Sequence, residues 1–230
     1  QIISTKTSYV KGLVNYLCPG EDLTSEMTAF GVWKAIQMCV SNPRGEKFVV
    51  QGACGKVGRV LTEYIYNAGG DVYVSDLPEK KDELLDIFRS RKIEHYTIIH
   101  PDDIFAVYKS FFIPCARGGV LNQKTILKLN AARCRGIIGC ANNQLEKTED
   151  GDLLHESGIL YAPDYVINMG GVICVATINY NRGNIDYVRS LVTRRVYSVL
   201  TEVFQRAQIT KKAPSRVAEE MAKEFLTKRA

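Results

Sequence analysis

Residues 49–76 read VVQGACGKVGRVLTEYIYNAGGDVYVSD, in which a glycine-rich turn and a helical pattern separate two apolar runs. The turn carries Gly52, Gly55 and Gly58, and the second apolar run ends in Asp76. In a strand–turn–helix–strand unit, such glycines let the backbone approach a pyrophosphate, which the free N–H groups of the helix N-terminus then bind. Asp76 stands near the position, about 20 residues further on, where an acid accepts hydrogen bonds from a ribose. The stretch therefore predicts a dinucleotide site.

The spacing of these glycines departs from the usual pattern by one residue. It is G-x-x-G-x-x-G, whereas the standard fingerprint is G-x-G-x-x-G. Gly55-Lys56 also superficially resembles the phosphate-binding loop of nucleoside triphosphatases. That motif needs four residues between its glycines and a Ser or Thr after the lysine. Because Val57 follows Lys56, we exclude that class of site.

The carboxylate at the end of the second apolar run favours NAD over NADP. It can accept hydrogen bonds from the ribose hydroxyls of NAD, and it would repel the 2′-phosphate of NADP. Lys80 and Lys81 follow Asp76 closely enough to leave NADP open. The expected cofactor is NAD.

The composition is that of an ordinary soluble globular protein. The 230 residues are 46% hydrophobic and 24% charged, which suits one large domain with an ample core. No apolar run approaches the roughly 18 residues of a membrane span, and no signal peptide opens the chain. The net charge of +5 is mild and the basic residues are scattered. We therefore expect neither a nucleic-acid nor a membrane partner.

The seven cysteines form no C-x-x-C pair, and the three histidines show no metal-ligand spacing. An odd number of thiols in a chain of this size favours reduced cysteines in a cytoplasmic protein over a disulfide framework. We therefore expect no metal site and a cytoplasmic location.

Short β-rich runs alternate with amphipathic helical stretches from about residue 47 onward. The predicted strands cover residues 48–51, 72–75, 95–99, 110–113, 136–139 and 159–161. The predicted helices between them cover residues 57–67, 79–91 and 123–131, and later helices cover 166–180, 185–207 and 214–226. The alternation predicts an α/β fold with a doubly wound, Rossmann-type, mostly parallel sheet, flanking helices and a helical C-terminal segment.

This pattern divides the chain into two parts. Residues 1–40 are expected to be a connecting segment and a helix, at about 28–40, that lead into the domain. Thr24 or Ser25 is expected near the cap of that helix. Residues 41–230 are expected to form an NAD-binding domain with C-terminal helices.

Four segments carry a more specific pattern. They are SEMTAFGVWKAI at 25–36, IPCARGGVLN at 113–122, IIGCANNQLEKTEDGDLLHESGILYAPDYVINMGGVI at 137–173 and the helical tail. Together they resemble the cofactor domain of the amino-acid dehydrogenases that act on glutamate, leucine, phenylalanine and valine. The string GILYAPDYVIN-x-GGV is most similar to the leucine, phenylalanine and valine branch. The resemblance implies NAD-dependent oxidative deamination of an apolar (branched-chain or aromatic) L-amino acid to a 2-oxo acid and ammonia.

The resemblance also implies roles for individual residues. Thr28 would hydrogen-bond the nicotinamide carboxamide, although a threonine at a helix start is ordinary. Cys115 and Ala116 would touch the cofactor through their backbone. Asn142 would bind both cofactor and substrate, although Asn142-Asn143 is also a common turn former. The implied cofactor-binding set is Thr28, Gly52, Gly55, Lys56, Val57, Gly58, Asp76, Leu77, Cys115, Ala116, Asn142 and Asn168.

Residues 168–175 extend the implied site toward the substrate. Asn168 precedes two glycines in a helical stretch, and this unfavourable helix sequence suggests a close approach to a ligand or to another element. By resemblance, Asn168 contacts the nicotinamide end. Val172 and Val175 would face the substrate side chain, or they belong equally well to the core. If they line the pocket, its apolar wall argues against a glutamate-type enzyme. Met169 replaces the alanine usual in this family and is expected to crowd the nicotinamide pocket.

The catalytic lysine and aspartate of this family come from an N-terminal substrate domain. The similarity of QIISTKTSYVKGL begins just after the aspartate motif. We therefore expect neither the substrate domain nor a catalytic residue in this chain, which would bind NADH but be inactive alone. The alternative is a non-catalytic dinucleotide-binding or regulatory module derived from such an enzyme. The expected partners are a small amino-acid substrate and, in the full-length protein, further copies in a homo-oligomer.

Overall fold

The computed structural model describes residues 22–177 and 184–228. Its strands are β1 Lys47–Gln51, β2 Asp71–Ser75, β3 Thr97–Ile98, β4 Ser110–Pro114, β5 Gly136–Ile137 and β6 Leu160–Tyr161. All pair in parallel in one sheet of order β3-β2-β1-β4-β5-β6. The chain begins at the sheet centre with β1 and runs outward through β2 to β3. It then returns to the centre with β4 and runs outward in the opposite direction to β6, as in the doubly wound dinucleotide-binding fold. The predicted fold class is therefore confirmed.

Each predicted strand is present, and the differences lie at the strand ends. β5 ends at Ile137 rather than at Gly139, because Gly139 lies directly against Pro114. A Cβ atom at Gly139 would be 2.3 Å from the Pro114 carbonyl oxygen, and Pro114 has no N–H to donate to its neighbour. The regular ladder between β4 and β5 therefore stops as both strands reach the carboxyl edge of the sheet.

The α-helices of the described residues flank this sheet. They are α1 Leu23–Cys39, α2 Lys56–Asn67, α3 Lys81–Ser90, α4 Gln123–Ala131, α5 Thr148–Glu156, α6 Asp164–Ile167, α7 Gly170–Thr177, α8 Ile185–Thr210 and α9 Pro214–Thr227. α1 begins earlier than predicted because Asp22 caps it, accepting hydrogen bonds from Ser25 N at 3.2 Å and the Thr24 hydroxyl at 2.9 Å. α5 is absent from the sequence prediction. None of these helices is long and apolar enough to cross a membrane.

The helix predicted over residues 166–180 is in fact two helices, α6 and α7, and residues 178–180 lie outside the described part. The two helices are separated at Asn168 and Met169, because the following glycines lie against α1. A Cβ atom at Gly170 would be 1.9 Å from the Met27 carbonyl oxygen, and one at Gly171 would be 2.6 Å from Thr28 Oγ1. This close approach sets the direction of α7.

Alternate residues of the central strands supply two separate apolar cores. Phe48 and Val50 of β1 belong to one buried cluster, and Val49 belongs to the other. Successive side chains of a strand point to opposite faces, so the two clusters lie on opposite faces of the sheet. The first contains buried residues of α1, α2 and α8, and the second contains those of α4 and α5. A sheet covered on both faces exposes its strand ends for binding.

The contact between α7 and α1 gives a prediction about stability. The substitution G170A places a methyl group inside van der Waals distance of the Met27 carbonyl. We expect it to lower the free energy of unfolding by about 3 kcal/mol, since overpacked sites must displace their neighbours. Urea unfolding monitored by circular dichroism measures this change.

The control for this prediction is G45A. Gly45 also has no Cβ but has open space around it, and its φ of +74° is the only obstacle to a side chain. We expect a loss of about 1 kcal/mol from the left-handed backbone alone. Equal losses for the two variants would show that the α1–α7 contact is not tight.

Candidate functional site

The carboxyl ends of β1 and β4 meet at the point where the strand order reverses. Both strands flank the sheet centre and pair with each other from Lys47↔Ser110 to Gln51↔Pro114. In open α/β sheets, ligands bind in the crevice outside this point. The residues that follow these strands therefore form the candidate site.

The glycine loop closes tightly over the end of β1. Gly52 has a φ of +80°, and the Gly55 N–H donates to the Gly52 carbonyl oxygen at 3.1 Å. A Cβ atom at Gly58 would be 2.1 Å from the same oxygen. Gly55 is the N-cap of α2, and Val57 packs partly against the core. The loop thus presents the N-terminus of a 12-residue helix to the crevice, which suits an anionic group.

The extra residue of this loop is held by Asp76. Asp76 Oδ2 accepts a hydrogen bond from Cys54 N at 2.8 Å, and its Oδ1 accepts one from Leu77 N at 2.9 Å. A carboxylate oxygen can accept a further bond, so both oxygens retain acceptor capacity for ribose hydroxyls. The sequence alone gave no sign of the contact between Asp76 and Cys54.

Lys56 connects the loop to α1. Its ammonium group lies 2.8 Å from the Asp22 carboxylate, which caps α1. Partial burial alone would raise the pKa of Asp22, but hydrogen bonds from Lys56, Thr24 and Ser25 lower it to about 2. The ion pair therefore places the start of α2 beside the start of α1.

A cavity of about 230 Å³ opens next to Asp76. Its walls include Leu77 and Ile98, which are 55% and 40% exposed. Large exposed apolar side chains beside this carboxylate could pack against the flat ring of an adenine. Of its lining residues the sequence analysis assigned only Asp76 and Leu77 to the site, because the others come from α3, β3 and the segments beside them, which carry no motif. The remaining lining residues are Pro78, Lys80, Lys81, Leu84, Ile99, His100 and Pro101.

On the other side of the crevice, two of the predicted asparagines contact each other. The Asn168 side-chain amide donates to Asn142 Oδ1 at 2.8 Å and to the Cys140 carbonyl oxygen at 3.2 Å. Thr28 lies close to the start of α7, and its hydroxyl donates to the Thr24 carbonyl oxygen at 2.8 Å. The structure therefore brings residues from α1, the β5 end and the α6 end to one region.

Asp164, which the sequence analysis missed, holds this region in place. Its buried carboxylate accepts hydrogen bonds from the Tyr161 hydroxyl and from Asn143 N, both at 3.0 Å. Its backbone oxygen accepts from Asn168 N at 2.8 Å. Burial raises the pKa of Asp164 above its ordinary value, in spite of these bonds. A signal was available, since an acid directly after Pro163 is typical of the first turn of a helix.

Cys115 and Ala116 join the two sides of the crevice. The Cys115 N–H donates to the Gln51 carbonyl oxygen at 2.9 Å. A Cβ atom at Gly52 would be 2.9 Å from the Ala116 Cβ, so the loop after β4 touches the glycine loop after β1. Cys115 is half-buried and Ala116 is exposed, and both lie along the edge between the two halves of the candidate site.

The predicted substrate-facing valines differ in their exposure. Val172 is 73% exposed and therefore not a core residue, whereas Val175 is partly buried. Met169 packs in part against the core cluster that contains α1. Among the described residues, no group of His, Cys, Asp and Glu is arranged to hold a metal ion.

Comparisons with known proteins agree with this architecture. A family model described as glutamate/leucine/phenylalanine/valine dehydrogenase matches residues 20–224. The phenylalanine dehydrogenase of Caldalkalibacillus thermarum is 35% identical over 98% of this chain and 60% of its own length. The leucine dehydrogenase of Thermoactinomyces intermedius is 36% identical over 79% of this chain and 49% of its own length.

A solved structure shows the same fold. The L-tryptophan dehydrogenase of Nostoc punctiforme superposes with a TM-score of 0.77 at 30% identity, covering 89% of this chain and 61% of that chain. The present chain spans between 42% and 61% of the length of the curated relatives it matches. The resemblance predicted from the four sequence segments is confirmed: the chain belongs to the glutamate/leucine/phenylalanine/valine dehydrogenase family of amino-acid oxidoreductases.

Proposed function

We propose that this chain is the NAD-binding domain of an enzyme that oxidatively deaminates an apolar L-amino acid to a 2-oxo acid and ammonia. The observation that carries the proposal is the pairing of two sites across one crevice. The glycine loop with Asp76 lies on one side, and the Asn142–Asn168 pair lies on the other. A dinucleotide has two ends to bind, whereas a protein that senses only adenine nucleotides would not need the Asn142–Asn168 pair.

The bound cofactor would supply the hydride acceptor of the reaction. This chain would hold and orient it. Asn168 uses its amide hydrogens on Asn142 and Cys140, so its side-chain oxygen is the group that would accept from the nicotinamide carboxamide. The Asn142 amide group would then donate toward the cofactor or the substrate. Val172, with its exposed apolar side chain, would contact an apolar substrate side chain.

We further propose that the catalytic lysine and aspartate of the family lie in a substrate domain outside this chain. The length of the chain relative to its relatives, about 60% in the case of the phenylalanine dehydrogenase of Caldalkalibacillus thermarum, supports this division. The full-length protein would be a cytoplasmic homo-oligomer, and the cleft between its two domains would close on the amino acid. A non-catalytic dinucleotide-binding module remains the second candidate, favoured by the longer glycine loop and by Met169.

The proposed function gives a first prediction, on the specificity for NAD. In D76A the ribose hydroxyls lose a charged acceptor, which contributes about 1.5–3 kcal/mol. We expect the dissociation constant for NADH to rise at least about tenfold. Titration of NADH fluorescence measures it. D82A, which removes an exposed acid on α3, is the control and should bind normally. Tighter binding of NADPH than NADH by the unmodified chain would contradict the assignment of NAD.

The second prediction separates the two ends of the cofactor. N168A removes the amide that joins Asn142 to the Cys140 carbonyl. We expect the dissociation constant for NADH to rise about tenfold, because the variant loses one hydrogen bond to the cofactor and the hydrogen bonds that fix the position of Asn142. ADP-ribose, which has no nicotinamide, should bind N168A and the unmodified chain equally. N130A, an exposed position on α4, is the control. Equal weakening for both ligands would argue against a nicotinamide contact.

The third prediction concerns turnover. The isolated 230-residue chain should bind NADH but produce none from NAD and any of leucine, valine, phenylalanine or tryptophan, because the proposal places the proton-transfer groups in the substrate domain. The absorbance of NADH at saturating NAD reports this directly. Measurable deamination by the pure chain would show that its own residues carry the chemistry. Absence of NADH binding would contradict both candidate functions, since each of them requires a dinucleotide site.

A further inference from the structure

Two thiols lie at the carboxyl edge of the sheet, on neighbouring chain segments. Cys115 directly follows β4, and Cys140 follows β5 after a short extension. The last paired residues of these strands are Phe112 and Ile137, and Ile138 N still donates to the Phe112 carbonyl oxygen at 3.0 Å. Both cysteines therefore stand three positions beyond the last pair, on neighbouring segments at the carboxyl edge.

The two side chains lie on the same face of the sheet, because Cys140 belongs to the apolar cluster that contains α1 and Cys115 packs against it. They are close enough for Cys115 to influence the pKa of the Cys140 thiol. Cys140 is buried and Cys115 is partly exposed, and both are free thiols. Both thiols are therefore free to form a bond with each other.

Their surroundings give the two thiols different roles. The neighbouring Cys115 side chain and burial raise the pKa of the Cys140 thiol well above its ordinary value. Because Cys115 is partly exposed and Cys140 is buried, an oxidant from solvent reaches Cys115 first. Cys134 provides a contrast, because it lies in the second cluster, contacts the Gly136 carbonyl oxygen at 3.4 Å and has its own pKa raised to about 11 by burial.

We propose that Cys115 and Cys140 are a modification site that hydrogen peroxide converts to a reversible intrachain disulfide. The Cys115 sulfur attacks the peroxide, the O–O bond breaks, and a sulfenic acid and one water form. The Cys140 sulfur then attacks Cys115, the S–O bond breaks, and its proton leaves with the hydroxyl group as a second water. Two thiols and one peroxide thus give one disulfide and two waters. A dithiol reductant reverses the modification by thiol–disulfide exchange.

The disulfide also changes the candidate cofactor site, an effect that rests on the proposed function. The Cys140 carbonyl oxygen accepts a hydrogen bond from Asn168, and Cys115 begins the segment that touches the glycine loop. Closing a bond between the two side chains rotates both residues. Oxidation therefore weakens NADH binding by displacing Asn168 and the backbone at residues 115 and 116.

Peptide mapping tests the modification without any reference to the cofactor. Trypsin releases residues 110–117 and 136–147 as separate peptides, each with a single cysteine. After peroxide treatment of the whole chain, we expect these two peptides to be linked, with a loss of two hydrogens, and dithiothreitol to separate them. Both cysteines remaining open to alkylation would overturn the proposal. So would linkage of either one to another cysteine, or further oxidation of Cys115 without a link.

Two variants and a binding measurement complete the test. In C140S, peroxide should give a Cys115 sulfenic acid that a dione reagent traps, whereas C134S should form the same linked peptide as the unmodified chain. The oxidised chain should bind NADH at least tenfold more weakly than the reduced chain, and dithiothreitol should restore binding. A linked peptide with unchanged NADH affinity would overturn the effect on the cofactor site. A linked peptide in a chain that never binds NADH would count against the proposed function alone.

Discussion

The hydrogen bonds of the buried Asp164 carboxylate hold together the half of the candidate site that contains Asn142 and Asn168. A carboxylate out of contact with water must be hydrogen-bonded, because an unpaired buried charge is very unfavourable. Here the Tyr161 hydroxyl and Asn143 N satisfy it, so the turn after β5 is held against the start of α6. The backbone oxygen of the same residue holds Asn168 N. One acid thus holds the backbone of Asn168 and that of Asn143, the residue next to Asn142.

The other half of the candidate site, the glycine loop between β1 and α2, depends on the absence of side chains rather than on a charge. Gly52 and Gly58 lie so close together that a Cβ atom on Gly58 would overlap a carbonyl oxygen. This closeness puts the start of α2 directly over the end of β1. The extra residue, Cys54, does not open the turn, since its N–H is bound by Asp76 on the next strand. The loop and the acid are therefore one structural unit, and the longer glycine spacing is compatible with a compact loop.

The sequence allowed the sheet and most helices to be predicted, because their apolar periodicity is local. It did not predict α5, whose sequence TEDGDLLHE offers few apolar residues, nor the break at Asn168, which a contact with α1 causes. The candidate site divides in the same way. Motif residues such as Asp76 were found, whereas Asp164 and Ile98 were missed, since their roles arise from hydrogen bonds and cavity walls between distant segments. Contacts between residues far apart in the sequence produce no regular spacing from which they could be predicted.

The close packing of α7 against α1 limits how the sequence of this chain can evolve. Gly170 meets the Met27 carbonyl with no side chain between them, and α8 packs against both helices. Thr28 on α1 and Val172 on α7 are consequently fixed relative to each other by backbone contacts. A substitution that reshapes the surface around Val172 by shifting α7 must also shift Thr28. Under the role proposed for Val172, selection for a different substrate acts most freely through side-chain exchanges on the exposed face of α7, and changes in helix position require compensating substitutions on all three helices.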